Sequence, residues 1–344
     1  MSSHQSKTLK FSILDLAVIN EGQTPADAIR NSREVAVKGE QLGYTRFWMA
    51  EHHNMENIAS SATSVLLGHV AEATKTIRIG SGGVMLPNHS PLIIAEHFGT
   101  LASLYPDRID LGLGRAPGTD QTTARAIRPD RMKQVHHFPE NVKQLQRYFS
   151  VKNKDSDVRA IPGEGTEVPL WILGSSTDSA HLAAKLGLPY VFASHFAPQQ
   201  LLPALKIYRN NFQPFKQIDE PYVMVCVNVV AADTDEQAQY LSTSLKRMMM
   251  GIVTGRREPM HPPTDNMEKV WNPNQRAAVM QMLSHSLIGG PNLVSENLHI
   301  LLDHTEADEI MAISNIYDQE AREHSYQIFA DIIQSRHTQQ ATEY

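Results

Sequence analysis

Chemically capable side chains follow several predicted strands, at the point where each strand ends. The first group is Glu51-His52-His53, the second is Gly114-Arg115, and the third is Gly174-Ser175-Ser176. A histidine at such a position can transfer a proton or donate a hydrogen bond. An arginine can hold an anion with its forked donors. Because the carboxyl ends of barrel strands meet at one face, where active sites lie, these groups together predict a site for an anionic ligand.

His52 and His53 cannot both ligate one metal ion if they lie on a strand. Adjacent residues of a strand point to opposite faces. We therefore expect no metal ion, and we expect one of the two histidines to face the site as an acid, a base or a hydrogen-bond donor. The alternative is a histidine whose hydrogen bonds are satisfied in a polar rim.

Glycines accompany two of the strand ends, in Ser81-Gly82-Gly83 and in Gly112-Leu113-Gly114-Arg115. Glycine permits a positive φ or a close approach of the backbone to a flat ligand. The run is not a dinucleotide-binding fingerprint, because Pro117 occupies the third glycine position. The pattern predicts a planar, negatively charged ligand, and for Arg115 the alternative is an ordinary salt bridge on the rim.

Gly174-Ser175-Ser176 precedes a helix predicted to begin at Thr177. The free N–H groups and the dipole at the start of a helix favour binding of an anion. The hydroxyl groups of the two serines can donate further hydrogen bonds to it. The alternative is simple N-capping of the helix by Ser176.

Strand-like and helix-like segments alternate along the chain, which predicts parallel strands with right-handed crossovers. About eight such units indicate a single (β/α)8 TIM barrel domain over residues 1–344, with an ordered core over about 9–336. The predicted strands are Phe11–Ile19, Arg46–His53, Ile77–Val84, Ile109–Leu113, Val168–Leu173, Tyr190–Ser194, Tyr222–Ala231 and Glu309–Ile313. The predicted helices are Pro25–Leu42, Ser61–Thr74, Pro91–Tyr105, Val135–Phe149, Thr177–Leu186, one that starts near Pro198, Asp235–Met250 and Tyr317–Ile333.

The segment Gly255–Pro273 does not fit this alternation. It contains Pro259, Pro262, Pro263 and Pro273 and interrupts the seventh unit. Loops of this length in compact domains are usually functional or disordered. We interpret it either as a surface insertion or as a lid over the barrel mouth, with Trp271 as an apolar cover.

Composition narrows the class of protein. The 344 residues carry a formal charge of -6, and no basic stripe with interleaved aromatics is present, so we expect no nucleic-acid partner. Cys226 is the single cysteine, which suits a reducing cytoplasm. The segment Met1–Lys10 is polar, and no apolar run approaches the length of a membrane span. We therefore expect a cytoplasmic protein without a membrane partner.

The motifs taken together resemble those of the bacterial luciferase-like monooxygenases, and particularly the small uncharacterised oxidoreductases of that family. The resemblance runs from about Phe11 to the last helix. It is carried by Trp48-Met49-Ala50-Glu51-His52-His53, Gly82-Gly83-Val84-Met85-Leu86-Pro87-Asn88-His89-Ser90-Pro91, Pro106-Asp107-Arg108-Ile109-Asp110-Leu111-Gly112 and Gly114-Arg115-Ala116-Pro117-Gly118.

The resemblance implies a (β/α)8 barrel that binds reduced flavin mononucleotide (FMN) at its C-terminal mouth. Gly82-Gly83 would form the family's cis peptide and bulge against the flavin ring. Arg115 would hold the flavin phosphate, Ser175 and Ser176 (after Gly174) would complete that phosphate site, and His52 would serve the oxygen chemistry. The chain departs from luciferase in three ways: Gly114 replaces a cysteine, Ser175 replaces an acidic residue, and the aldehyde pocket with its long mobile loop is not recognisable. The resemblance therefore does not imply light emission or a fatty aldehyde substrate.

The function implied is a monooxygenase that uses reduced FMN and O2 to oxygenate a small organic substrate, with a separate reductase supplying the flavin. Two alternatives stay open: a flavin-linked dehydrogenase on the same barrel, and a non-enzymatic flavin-binding protein. The family also implies a homodimer. Small residues in the predicted helix Ser61–Thr74 and in Phe98–Ser103 of the next helix would permit the close contact between subunits.

Overall fold

A computed structural model describes residues 8–342, and their side chains as far as residue 338. Most of the polar segment Met1–Lys10, namely residues 1–7, lies outside the described residues. The strands are β1 (Lys10–Asp15), β2 (Arg46–Met49), β3 (Arg78–Met85), β4 (Ile109–Gly114), β5 (Leu170–Gly174), β6 (Tyr190–Ala193), β7 (Val223–Ala231), β8 (Leu287–Gly289) and β9 (Glu309–Ile313). Every pairing between these strands is parallel.

Eight of these strands close into a barrel. The ring runs in chain order from β1 to β7, continues to β9 and returns to β1, where Phe11 lies opposite Ile310. The short strand β8 pairs only with the last three residues of β7, which project beyond the ring. The predicted (β/α)8 barrel is therefore confirmed.

The helices surround the barrel. They are α1 (Pro25–Gln41), α2 (Thr63–Ala73), α3 (Pro91–Leu104), α4 (Gln121–Ile127), α5 (Arg131–His136), α6 (Phe138–Phe149), α7 (Thr177–Leu186), α8 (Leu201–Asn211), α9 (Asp235–Thr254), α10 (Pro273–Met282), α11 (Pro291–Thr305) and α12 (Gln319–Thr342). None of the helices in residues 8–342 combines the length and apolar character needed to cross a bilayer. The last helix continues to Thr342, past the expected end of the ordered core at residue 336.

Of the eight predicted strands only Glu309–Ile313 has the predicted bounds, and three of the differences bear on the site. The first strand ends at Asp15 because its carboxylate accepts a hydrogen bond from the N–H of Ala17 (2.6 Å), which lies in the left-handed region at φ 49°. The second strand ends at Met49, before the histidines. The third continues through Gly82-Gly83 to Met85, with a bulge between Ser81 and Val84.

The chain between α9 and β9 contains more structure than predicted. The loop after α9 leads into α10, β8 and α11, so the interruption of the seventh unit extends well past residue 273. The three residues of β8 are too few to show a periodic pattern in the sequence.

Charged side chains fill the amino-terminal end of the barrel interior. The guanidinium of Arg46 donates to Asp110 (2.7 Å) and to Glu309 (2.8 Å), and Arg78 also donates to Asp110 (2.7 Å). Burying such charges is tolerated only when they are paired and hydrogen-bonded. This network closes the bottom of the barrel and leaves the opposite end open.

The next interior layer contains Trp48 and Trp171, whose rings meet edge to face at 5.3 Å. Trp48 requires glycine on the neighbouring strands: a Cβ at Gly80 would lie 2.5 Å from its indole nitrogen, and one at Gly112 would lie 3.2 Å from its ring. None of the glycines in Ser81-Gly82-Gly83 or Gly112–Arg115 has a positive φ. Their small size, rather than an unusual backbone conformation, is what the fold uses there.

Candidate functional site

One cavity of about 1110 Å³ lies at the carboxyl ends of the strands. This volume lies just above the usual range for small-molecule sites, about 300–1,000 Å³. All seven residues predicted for the site line it: His52, Gly82, Gly83, Arg115, Gly174, Ser175 and Ser176. The structure therefore brings residues of four separate sequence motifs together.

Gly82 and Gly83 form a wall without side chains. Their peptide bond is cis, as the resemblance implies, and it lies at the bulge of β3. A Cβ at Gly82 would lie 2.6 Å from Leu14 Cδ1, and one at Gly83 would lie 2.7 Å from the carbonyl oxygen of Gly112. The backbone of Gly112 closes Gly83 to any larger residue, whereas at Gly82 the side chain of Leu14 would have to move. With glycine at both positions, no side chain projects from this part of the cavity wall.

His52 lines the cavity and is held by the loop after β4. Its Nδ1 lies 3.3 Å from the carbonyl oxygen of Gly118. Because a carbonyl only accepts hydrogen bonds, Nδ1 carries the proton, and Nε2 of the neutral ring is left as an acceptor. Burial lowers the pKa of His52, and the charge of Arg257 lowers it further, against the opposing effect of the Gly118 carbonyl. The ring is thus neutral at pH 7 and can accept a proton.

His53 has a different role from its neighbour. Its Nε2 donates to the carboxylate of Glu51 (2.9 Å), which also accepts from His89 Nε2 (2.8 Å) and from the backbone N–H of Met85 (3.1 Å). Burial alone would raise the pKa of Glu51, but the hydrogen bonds from the two histidines and the charge of His89 lower it to about 2. This carboxylate ties the segment after β2 to the end of β3, and so fixes the backbone next to His52.

His195, which the sequence did not single out, lies beside His52 in the same cavity wall. Its Nδ1 is enclosed and has no hydrogen-bond partner among residues 8–338. Burial, with a smaller contribution from His52, lowers the pKa of His195 to about 3. Two neutral imidazoles therefore face the ligand space.

The groups predicted to bind an anion lie after β4 and β5. The side chain of Ser176 makes no capping hydrogen bond to α7, so the N-capping alternative is not realised. Arg115 is largely exposed and makes one contact, from Nη2 to Asp178 Oδ2 (3.3 Å). Its loop is held by Arg131, another residue that sequence reasoning missed, which donates to the carbonyl of Arg115 and to Asn88 Oδ1 (2.7 Å each).

The segment 255–272 covers the other side of the cavity mouth. Its residue Met260 exchanges backbone hydrogen bonds with the loop after β1: its N–H donates to Ile19 (2.9 Å), and its carbonyl accepts from Glu21 (2.8 Å). Trp271 does not serve as the apolar cover that we expected. It is buried against α9 and α10, and Met260 and Val270 line the cavity instead.

Comparison with known proteins gives the same picture over nearly the whole chain. The sequence model of the family described as luciferase-like monooxygenases matches residues 9–304. A protein of *Escherichia coli* K12 named luciferase-like monooxygenase is 49% identical over 95% of this chain and 97% of its own. The N-acetyl-S-alkylcysteine monooxygenase of *Bacillus subtilis* is 31% identical, over 94% of this chain and 98% of its own.

Solved structures agree with this result. The apo form of MsnO8 is 33% identical and superposes with a TM-score of 0.83, covering 95% of this chain and 98% of its own. The oxygenating constituent of 3,6-diketocamphane monooxygenase from *Pseudomonas putida*, solved with FMN, has the same fold at 16% identity (TM-score 0.71, 94% of this chain and 97% of its own). The chain therefore belongs to the family of luciferase-like monooxygenases, which are oxidoreductases that incorporate oxygen.

Proposed function

We propose that this protein is a flavin-dependent monooxygenase that uses reduced FMN and O2 to oxygenate a small organic substrate. The observation that carries the proposal is a single cavity that joins a flat wall at Gly82-Gly83, a neutral histidine at His52, and anion-binding groups at Arg115, Ser175 and Ser176. FMN has matching parts: a planar ring and a phosphate. The family relative solved with FMN, although it shows only the fold, supports the same cofactor.

The residues present fit this cofactor. The hydroxyl groups of Ser175 and Ser176 and the N–H groups at the start of α7 would hold the phosphate, with Arg115 beside them. Gly82 and Gly83 would lie against the ring, since neither carries a side chain and the backbone of Gly112 leaves no room for one at Gly83. Reduced flavin, once bound, supplies the electrons that activate O2. The apolar walls of the cavity exclude water, and His52 Nε2 can accept a hydrogen bond from the reacting groups.

A separate reductase would supply the reduced flavin. Pro117 breaks the Gly-x-Gly-x-x-Gly fingerprint of Rossmann folds, so this glycine run does not indicate a nicotinamide site on this chain. The *B. subtilis* relative named for N-acetyl-S-alkylcysteine supports oxygenation of a small organic molecule rather than a polymer. We place this reaction in the cytoplasm, where the lone buried thiol of Cys226 stays reduced.

Rapid mixing of the protein and reduced FMN with O2 tests this function. We expect oxidised flavin to appear more slowly than from free reduced FMN, because the closed cavity protects the reacting flavin from water. Oxidation as fast as that of free flavin, together with hydride transfer from an organic substrate, would instead indicate the dehydrogenase. Tight flavin binding without either reaction would indicate a non-enzymatic flavin-binding protein.

His52→Ala should bind FMN with nearly the affinity of the wild type, because His52 follows β2, whereas the residues proposed to hold the phosphate follow β4 and β5. The variant should nevertheless form oxidised flavin faster and release more hydrogen peroxide. His136→Ala, at an exposed position of α5 outside the cavity, is the control. Weak FMN binding with normal turnover at saturation would contradict this role.

We also propose that the protein is a homodimer that pairs through α2 and α3. Gly99, one of the small residues on these helices, packs against another part of the same chain: a Cβ at this position would lie 2.1 Å from the Cα of Gly163. Support comes instead from large apolar side chains that these helices leave exposed, including Val65 (70% exposed) and Leu104 (65%). Ile93, also on α3, adds to the same apolar set.

A further inference from the structure

Three arginines line the cavity on the side of α9 and the segment 255–272: Arg247, Arg256 and Arg257. None of them forms an ion pair with a carboxylate within residues 8–338. Arg247 Nη1 lies 3.3 Å from the carbonyl oxygen of Pro262, and Arg257 Nη1 lies 2.8 Å from the thioether sulfur of Met55. A carbonyl and a thioether do not neutralise a guanidinium. The acidic residue among the lining residues, Glu258, lies 3.3 Å from His261 rather than on an arginine, so the three arginines outnumber the carboxylates on this side of the cavity.

This cationic side is distinct from the proposed phosphate site. Arg115 follows β4, and Ser175 and Ser176 follow β5. The segment 255–272 is hydrogen-bonded through Met260 to the loop after β1. Since β5 is four strands from β1 in the eight-stranded ring, the two charged regions face each other across the mouth. A cavity of about 1110 Å³ has room for a second molecule beside a flavin.

Methionines lie next to these arginines in the cavity wall. They come from α9, the segment 255–272 and the loop after β2, and are Met248, Met250, Met260 and Met55. Methionine side chains are flexible and polarisable, so they adapt to apolar groups of different shape. Arg257 contacts Met55, three residues after His52, which places the charge near the neutral imidazole.

We propose that Arg257, assisted by Arg247 and Arg256, binds the carboxylate of the organic substrate, whose apolar body lies against the methionines within reach of His52. Only the identification of this ligand as the substrate rests on the proposed function. The binding itself needs neither flavin nor oxygen. A fully desolvated carboxylate would be costly, but a forked guanidinium provides two parallel charge-assisted hydrogen bonds.

Calorimetric titration with straight-chain carboxylates from butyrate to decanoate, and with the matching primary amides, tests the proposal. Titrations are made with and without saturating FMN, on the wild type, Arg257→Gln and Arg33→Gln. Arg33 is an exposed arginine of α1 outside the cavity. We expect at least one carboxylate to bind about tenfold or more tightly than its amide, in the presence of FMN as well. Arg257→Gln should remove this preference, and Arg33→Gln should retain it.

Equal binding of acids and amides throughout the series, or a preference that survives in Arg257→Gln, would overturn the proposal. So would competition between the carboxylates and FMN together with weakened FMN binding in Arg257→Gln, because the arginines would then hold the flavin phosphate. Selective carboxylate binding in a protein that fails the rapid-mixing test would retain the anion site and reject the monooxygenase. The two proposals can therefore fail separately.

Discussion

Arg115→Ala should separate cofactor binding from folding. The side chain of Arg115 is 48% exposed, and its partner Asp178 is 70% exposed, with a single contact of 3.3 Å. Exposed pairs of this kind contribute about 0–1 kcal/mol, so the free energy of unfolding should fall by less than about 1 kcal/mol. A hydrogen bond to a charged group contributes about 1.5–3 kcal/mol. Loss of the phosphate contact should therefore weaken FMN binding by about 2 kcal/mol, or about thirtyfold in Kd.

Titration with both FMN and riboflavin isolates the phosphate, because riboflavin lacks it. The variant should lose affinity for FMN and bind riboflavin like the wild type. Arg115→Lys should lie between the two, since an ammonium keeps the charge without the forked geometry. Arg125→Ala, on an exposed arginine of α4 outside the cavity, is the matched control. Unchanged FMN affinity, or an equal loss for both ligands, would remove Arg115 from the phosphate site.

Three further predictions follow from the same structure. The pKa of His195 is lowered from its usual 6.5 to about 3, so only the unfolded chain takes up this proton as the pH falls below 6.5. Lowering the pH from 7 to 5 should therefore destabilise the wild type by up to about 2 kcal/mol more than His195→Asn in urea unfolding, and equal losses would contradict the shift. Deleting Pro259–Lys269 should preserve folding and FMN affinity but release hydrogen peroxide in place of product, whereas normal coupling would identify a mere surface insertion. Leu104→Asp should shift the protein from dimer to monomer in sedimentation, and a wild type that is monomeric at micromolar concentration would reject the dimer.

The barrel could be predicted from the sequence because its local signals agree with one another. Buried strands such as Val223–Ala231 read as continuous apolar runs, and helices such as Thr177–Leu186 end at a glycine in the left-handed conformation, Gly187. The proximity of the candidate site residues could be predicted because parallel strands bring their carboxyl ends to one face. His52, Arg115 and Ser175 follow different strands in the sequence, and in the fold they line the same cavity.

Contacts between segments that are distant in the chain could not be predicted, because no local sequence pattern indicates them. Glu51 receives hydrogen bonds from both His53 and His89, and nothing in the sequence indicates that the second histidine reaches it. His195 follows a strand, as His52 does, but it lies in a run without glycine or a neighbouring charge, and it was overlooked for that reason. Trp271 was expected over the cavity because it is apolar and lies in a long loop. Packing against α9 and α10 buries it elsewhere.

The two ends of the barrel treat positive charge in opposite ways. At the closed end, Arg46 lies between two carboxylates, Asp110 and Glu309, which compensate the cost of burying it. At the open end, Arg247 and Arg257 have only a carbonyl oxygen and a thioether as partners. Arg257 is exposed and Arg247 is half-buried, so water solvates both guanidiniums at the mouth, and a bound anion would replace that water with charge-assisted hydrogen bonds. The fold thus pairs the buried arginine at the closed end with carboxylates of the chain itself, whereas the arginines that line the cavity remain available to bind an anionic ligand.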